Sequence, residues 1–233
     1  KSTYWFRFSI ARPTDTQIRW ILEIGNPVIE NLDIYFISPD ETVATHSTGI
    51  LKPFAERPTR HRKFLFSVPF EKAAQLNVYI RVQSRNPMQV PIRLWQEPEF
   101  LVTDQKLAHL IGIFFGIIVV MALYNLFIFL SLRDLSYLFY ALFQLVRVPI
   151  QAGLHGFTFQ YLPAGLVIHQ ASITLFLVGL NVCFSCFFAL HFLSLKSTYP
   201  RIHRVFVAFG LFGLVEAVLV PFVEHQLATQ IIM

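Results

Sequence analysis

The side chains able to carry chemistry fall into aromatic, basic and intramembrane groups. Trp5, Trp20, Tyr35 and Trp95 form the first. An exposed ring can pack on the apolar face of a pyranose while nearby Asp, Asn or Arg groups satisfy the hydroxyls. Each of the four sits in a strand-like run, where alternation sends about half of all side chains inward, so burial is the default for at least two. The basic run Arg57, Arg60, His61, Arg62 and Lys63 could receive an anionic ligand or form a solvated loop. Arg147 and Glu216 interrupt long apolar stretches, 13 residues beyond Asp134 and 12 beyond Arg204. At about 1.5 Å per helical residue they reach similar depths and could pair inside a bundle. An ionised group at membrane depth costs about 2.5 to 3.5 kcal/mol on insertion scales, which favours a partner or a wet cavity. Asn125, amid the first apolar stretch, is expected to face another helix, and together these three residues form the expected polar switch.

Other constellations carry less. Cys183-Phe-Ser-Cys186 has redox spacing but lies in an apolar run, where it places two small residues on one helix face. His109, His155 and His169 match no metal-ligand spacing and read as wet interfacial histidines. No metal or cofactor is implied. Paired carboxylates and a nucleophile motif are not legible, so no catalytic residue is assigned and any enzyme activity would belong to a domain after Met233.

Two physically different halves must position these residues. The chain of 233 residues is 55% hydrophobic and 14% charged, and the charge is uneven: 25 of the Asp, Glu, Lys and Arg residues precede Leu107 and 8 follow it. The net charge of +5 divides into +3 and +2, with no dense basic face, which argues against a nucleic-acid partner. The two cysteines exclude a disulfide scaffold. The chain begins at Lys1 and ends in a starting apolar segment, as a piece of a longer protein would.

Residues 1–98 read as an all-β sandwich or jelly roll. Strand-like runs at Tyr4–Ile10, Ile18–Ile24, Leu32–Ile37, Lys63–Val68, Leu76–Val82 and Val90–Trp95 are separated by proline-containing turns at Pro13, Pro27, Pro39, Pro69 and Pro87. Residues 99–106 read as a linker. Residues 107–233 read as a helical membrane domain with spans at about 107–132, 135–154, 166–192 and 205–220, and with Pro149, Pro163, Pro200 and Pro221 at or near helix ends. Arg133, Lys196, Arg201 and Arg204 fall on one side of this topology, which is therefore cytoplasmic, and residues 1–106 lie outside.

Several segments carry a family resemblance. Tyr4-Trp-Phe-Arg-Phe8, Glu56-Arg57-Pro58 with His61-Arg62, and Arg81-Val-Gln-Ser84 with Arg93-Leu-Trp95 resemble the extracellular domain of bacterial seven-transmembrane receptors with diverse intracellular signalling modules. Leu123-Tyr-Asn-Leu-Phe127, Ser131-Leu-Arg-Asp134 with Ser136-Tyr-Leu138, Gly156 with Gln160-Tyr-Leu162, and Pro200-Arg201 with Arg204 resemble the first four spans of that family's membrane domain. The resemblance implies a jelly roll similar to carbohydrate-binding modules and a cytoplasmic histidine kinase or diguanylate cyclase in cis. It places the protein in the cytoplasmic membrane with its β domain in the periplasm.

The expected function is a sensory receptor for a small molecule or carbohydrate, embedded in the lipid bilayer. By analogy with outputs that act in pairs, it would form a homodimer. The alternative is a transporter or channel component carrying an outer β domain.

Overall fold

The computed structural model describes residues 2–12, 18–38, 42–84, 89–161 and 169–232, with side chains described as far as Leu219. The turns expected at Pro13, Pro39 and Pro87, and Pro163, lie outside the described residues. The chain divides into two compact units: residues 1–108 with 154–168, and residues 109–153 with 169–233.

The first unit is built on seven strands: β1 (Ser2–Ala11), β2 (Trp20–Ile24), β3 (Asn31–Ile37), β4 (Thr42–Thr48), β5 (Phe64–Ser67), β6 (Gln75–Ser84) and β7 (Ile92–Gln96). They form two antiparallel sheets, ordered β1-β6-β3-β4 and β5-β2-β7. Strict alternation explains the sandwich. Leu76, Val78, Ile80 and Val82 of β6 and Leu32, Ile34 and Phe36 of β3 point inward, where they meet Leu22 and Ile24 of β2 and Phe64 and Phe66 of β5. The intervening residues of β1, β6, β3 and β4 form the opposite face of the four-stranded sheet. β4 was not expected: its sequence, Thr-Val-Ala-Thr-His-Ser-Thr, is mostly polar because it is an edge strand.

Helix α1 (Glu97–Leu132) starts directly after β7. Residues 99–106 are therefore not a linker but the first turns of a 36-residue helix. Glu97 and Glu99 sit in its first turn with Pro98, which suits the positive end of the helix dipole and the absence of an N–H on proline. Then follow α2 (Leu135–Leu154), α3 (Phe157–Tyr161), α4 (Gln170–Phe192), the short α5 (Leu195–Thr198) and α6 (Pro200–Ile232). Pro149 lies inside α2, and α6 continues through position 221, so neither proline closes its helix. Among the described residues, α1, α4 and residues 200–219 of α6 are long and apolar enough to cross a membrane. α2, which carries Gln144, Arg147 and Gln151, is not one of them.

Within the second unit α4 and α6 cross at close range along a seam of small residues. A Cβ on Gly213 would stand 2.6 Å from the Gly179 carbonyl oxygen, and one on Gly179 would stand 2.5 Å from that of Gly213. Cys183 and Cys186 are free thiols buried beside this seam, where their small size matters. α2 is held to α4 by the Asn181 amide, which donates to the Phe143 carbonyl at 3.1 Å, and by the Phe139–Phe187 stack.

Overpacking a close contact costs about 1 to 3 kcal/mol. Gly213→Leu is therefore expected to lower the melting temperature of the chain in lipid nanodiscs and to open Cys183 and Cys186 to a thiol reagent. Gly112→Leu, whose Cβ would meet nothing within 4 Å, is expected to do neither.

Candidate functional site

The basic run is the most heavily engaged part of the first unit. Arg57 is only 6% exposed and Arg62 5%. The Arg57 guanidinium donates to the carbonyls of His61 at 2.9 Å and Arg62 at 3.3 Å and lies over the rings of Phe64, Phe54 and Phe159, the nearest at 4.4 Å. Desolvation pushes its pKa down to about 10. Arg62 donates to Asp104 Oδ1 at 2.5 Å and lies over Phe157 at 5.3 Å. The Lys63 backbone N–H donates to His61 Nδ1 at 3.1 Å, which puts the ring proton on Nε2, where it is donated to Asp104 Oδ2 at 3.0 Å. Burial holds His61 below the ordinary histidine value, against the opposing pull of Asp104.

The loop thus grips two separate segments. One is α1, through Asp104 and through Phe100, whose ring meets His61 and Trp95 edge-on. The other is the connection after α2, through Phe157 and Phe159 of α3. Gly156 makes that approach feasible: at φ +81 it adopts a backbone conformation that favours glycine, and a Cβ there would lie 2.7 Å from the Arg62 carbonyl oxygen. Lys63 is also spent. Its Nζ donates to Glu23 Oε1 at 2.6 Å, and Trp95 Nε1 donates to Glu23 Oε2 at 2.5 Å, satisfying both oxygens of a carboxylate that is 2% exposed.

These contacts correct the expectation that the basic run receives an anionic ligand. Arg57, His61, Arg62 and Lys63 are committed inside the protein, and only Arg60 of the run is exposed. The aromatic candidates separate as well. Trp20 packs against the core and Trp95 is tied to Glu23, so neither is a free platform. Trp5, 59% exposed, and Tyr35 lie on the outer face of the four-stranded sheet with ring centroids 6.1 Å apart and planes 24° from parallel.

Register explains this face. Trp5, Arg81, Asp33 and Ser47 form one row across the four strands, and Arg7, Tyr79, Tyr35 and Thr45 the next. Arg81 donates to Asp33 at 3.0 Å, Ser47 also donates to Asp33, Lys52 donates to Ser47 at 2.6 Å, and Arg7 lies over Tyr79 at 5.4 Å. Neither Asp104 nor Tyr79 stands out in the sequence, and Arg7 and Arg81 enter only as members of the segments that carry the family resemblance. Asp104 had one visible signal: a lone carboxylate about one turn before an apolar run.

In the second unit Arg147 lies over Phe143, within its own helix, and no ion pair joins it to Glu216 among the described residues. α6 and α2 are each tied to α4 rather than to one another through these residues. The Asn125 amide donates to the Met121 carbonyl at 2.8 Å, a bond within α1 rather than between helices. The interhelical amide is Asn181 instead. Among the described residues no group of three His, Cys, Asp or Glu side chains could hold a metal.

An extracellular-type β unit continuous with apolar helices of spanning length defines a multi-pass membrane protein with an outer domain. The family model 7TMR-DISM extracellular 2 matches residues 1–96, and the model 7TM diverse intracellular signalling matches residues 108–233. The chain belongs to the 7TM diverse intracellular signalling family. No curated protein matches it.

Two outcomes follow from the junction. Removing one partner of a fully buried ion pair costs about 3 to 5 kcal/mol; Asp104 is only partly buried, so Asp104→Ala is expected to destabilise the first unit by less than that. Chemical denaturation of the whole chain in detergent, followed by tryptophan fluorescence, measures it. Burial holds His46, His61 and His155 below the ordinary histidine value. Their neutral forms suit the folded state, so this contribution is complete above the unfolded-state value and is lost as the pH falls through the folded values. The melting temperature is expected to drop between about pH 7 and pH 5, and His61→Gln is expected to flatten that drop.

Proposed function

We propose that the chain is the input half of a sensory receptor in the cytoplasmic membrane, with its β unit in the periplasm. A small ligand binds the β unit, a carbohydrate being the chemistry that an exposed aromatic sheet face suits best. The helices pass the change to a cytoplasmic output domain in cis, such as a histidine kinase or a diguanylate cyclase, acting as a homodimer.

The observation that carries this reading is the double grip of the loop at residues 57–63. A receptor must convert a change in its outer domain into a change at helix ends, and a ligand can do so only if it favours one of two arrangements by a real free-energy difference. Asp104 lies in α1, and Phe157 and Phe159 lie in the connection between α2 and α4, so the loop holds both segments by charge and by ring contacts. Such a grip gives the β unit purchase on more than the one helix that continues it. A transporter has no need of that coupling.

The same grip bears on topology. The connection at residues 154–161 belongs to the same compact unit as the extracellular β strands. It therefore shares their side of the membrane, and α2 crosses back in spite of Arg147. An impermeant maleimide applied to intact cells is expected to label Gln160→Cys and to miss Lys196→Cys; the reverse pattern would refute the assignment. For the transmission step, the whole chain in nanodiscs is examined by hydrogen exchange with saccharides selected by thermal shift. A bound saccharide is expected to change protection at residues 157–161 and in the first turns of α1. Binding that leaves both segments unchanged would remove the receptor reading and favour a transporter.

A further inference from the structure

We propose that the outer face of the four-stranded sheet is the ligand site and that it takes a carboxylated saccharide in preference to a neutral one. This rests on the sensor reading above and names the class of ligand that the sensor would recognise.

The first part of the argument is shape. The stacked Trp5 and Tyr35 rings put an apolar ring face on this side of the sheet. At 6.1 Å between centroids the Trp5 and Tyr35 rings are offset rather than eclipsed, which leaves the outer side of Trp5 open. Tyr79, paired with Tyr35 in the same row, carries the Arg7 guanidinium over its ring. The flanking rows carry hydrogen-bonding side chains: Thr3, Gln83 and Asn31 at one end, Ser9 and Asn77 at the other. Rings at the centre with amides and hydroxyls around them match a pyranose, which is apolar on its ring face and polar at its rim.

The second part is charge. Across the two central rows the one carboxylate is Asp33, and Arg81 and Ser47 already bind it. Two cations remain. Arg7 and Lys52 have no carboxylate within ion-pair distance among the described residues; Arg7 lies over Tyr79, and Lys52 donates only to the neutral Ser47 hydroxyl. β1 and β4 are the two edges of the sheet, three strand spacings apart, or about 14 Å at about 4.8 Å each. Arg7 reaches in over Tyr79 from one edge and Lys52 is held at Ser47 on the other, so the residual positive charge flanks the Tyr35 ring between them. A neutral glycan would leave both cations uncompensated, whereas a glycan bearing carboxylates can reach each of them. Two cations are too few for a nucleic acid, which needs a continuous basic track.

The test uses the whole chain in nanodiscs of zwitterionic lipid at low salt. Binding of α-1,4-linked trigalacturonate is measured by calorimetry and compared with galactotriose, which replaces each carboxylate by a hydroxymethyl group, and with triglutamate, which keeps the charge and lacks the sugar. Trigalacturonate is expected to bind at least about tenfold more tightly than either, and the preference is expected to shrink with added salt. Arg7→Gln and Lys52→Gln are each expected to weaken trigalacturonate binding about threefold while leaving galactotriose unaffected. Trp5→Ala is expected to weaken both saccharides by about tenfold or more without changing the melting temperature, because the side chain is exposed. Equal binding of galactotriose would overturn the charge preference and leave the sheet face and the receptor reading standing. Equal binding of triglutamate would overturn the saccharide. Binding that Trp5→Ala does not weaken would overturn the site, and no binding of any probe would overturn the whole inference. None of these results touches the receptor reading, which falls only if a bound ligand leaves residues 157–161 and α1 unchanged.

Discussion

The first unit depends on one carboxylate. Arg57 and Arg62 are both withdrawn from water, and a buried guanidinium is tolerated only where acceptors, aromatic faces or opposite charge replace the water it loses. For Arg57 the supply is two backbone carbonyls and a lining of aromatic faces. For Arg62 it is Asp104, shared with His61, in the third turn of α1. The loop therefore closes properly only when α1 has formed and lies against it. That couples the folding of a β domain to the start of a membrane helix and makes their boundary a packed junction instead of a tether.

Polarity drew the broad architecture plainly, and its limits lie in particular residues. β1, β3 and β6 are apolar and β-rich enough to be read as strands, although which of their aromatics face outward is not legible. β4 cannot be read so, because its inward positions Ala44, His46 and Thr48 are small or polar and an edge strand need bury little. The start of α1 is hidden from a reading of uncharged runs. Glu97, Pro98 and Glu99 are an ordinary helix start, but they lie outside the apolar stretch, so the helix begins well before the membrane-suited part of its sequence. Pro149 was expected at an end and sits inside α2, where it removes a single backbone donor.

The site was legible where it depended on parity and illegible where it depended on distance along the chain. Trp5 and Tyr35 share a face because the register pairs both β1 and β3 with β6, and alternation alone allowed that outcome without choosing it. The basic run reads as a surface because the one carboxylate beside it in sequence, Glu56, cannot neutralise five basic residues. Its partners are Glu23, 40 residues before Lys63, and Asp104, 42 residues after Arg62. Phe157 and Phe159, which cover the two arginines, are farther still. Local sequence carries no trace of such pairings, which is why a ligand site and a solvated loop are the two roles it suggests for groups that the fold engages internally.

The same limit governs the membrane helices. Equal depth made Arg147 and Glu216 a natural pair, yet depth fixes only one coordinate, and rotation about each helix axis decides what a side chain meets. That rotation is set by packing, and here the packing follows small residues: Gly179 against Gly213, with Cys183, Cys186, Gly210 and Ala217 alongside. Helices that approach this closely have little freedom to slide or turn independently, because each backbone fills the groove of the other. α4 and α6 thus behave as one rigid pair, whereas α1 packs through few such contacts and keeps a long exposed apolar flank.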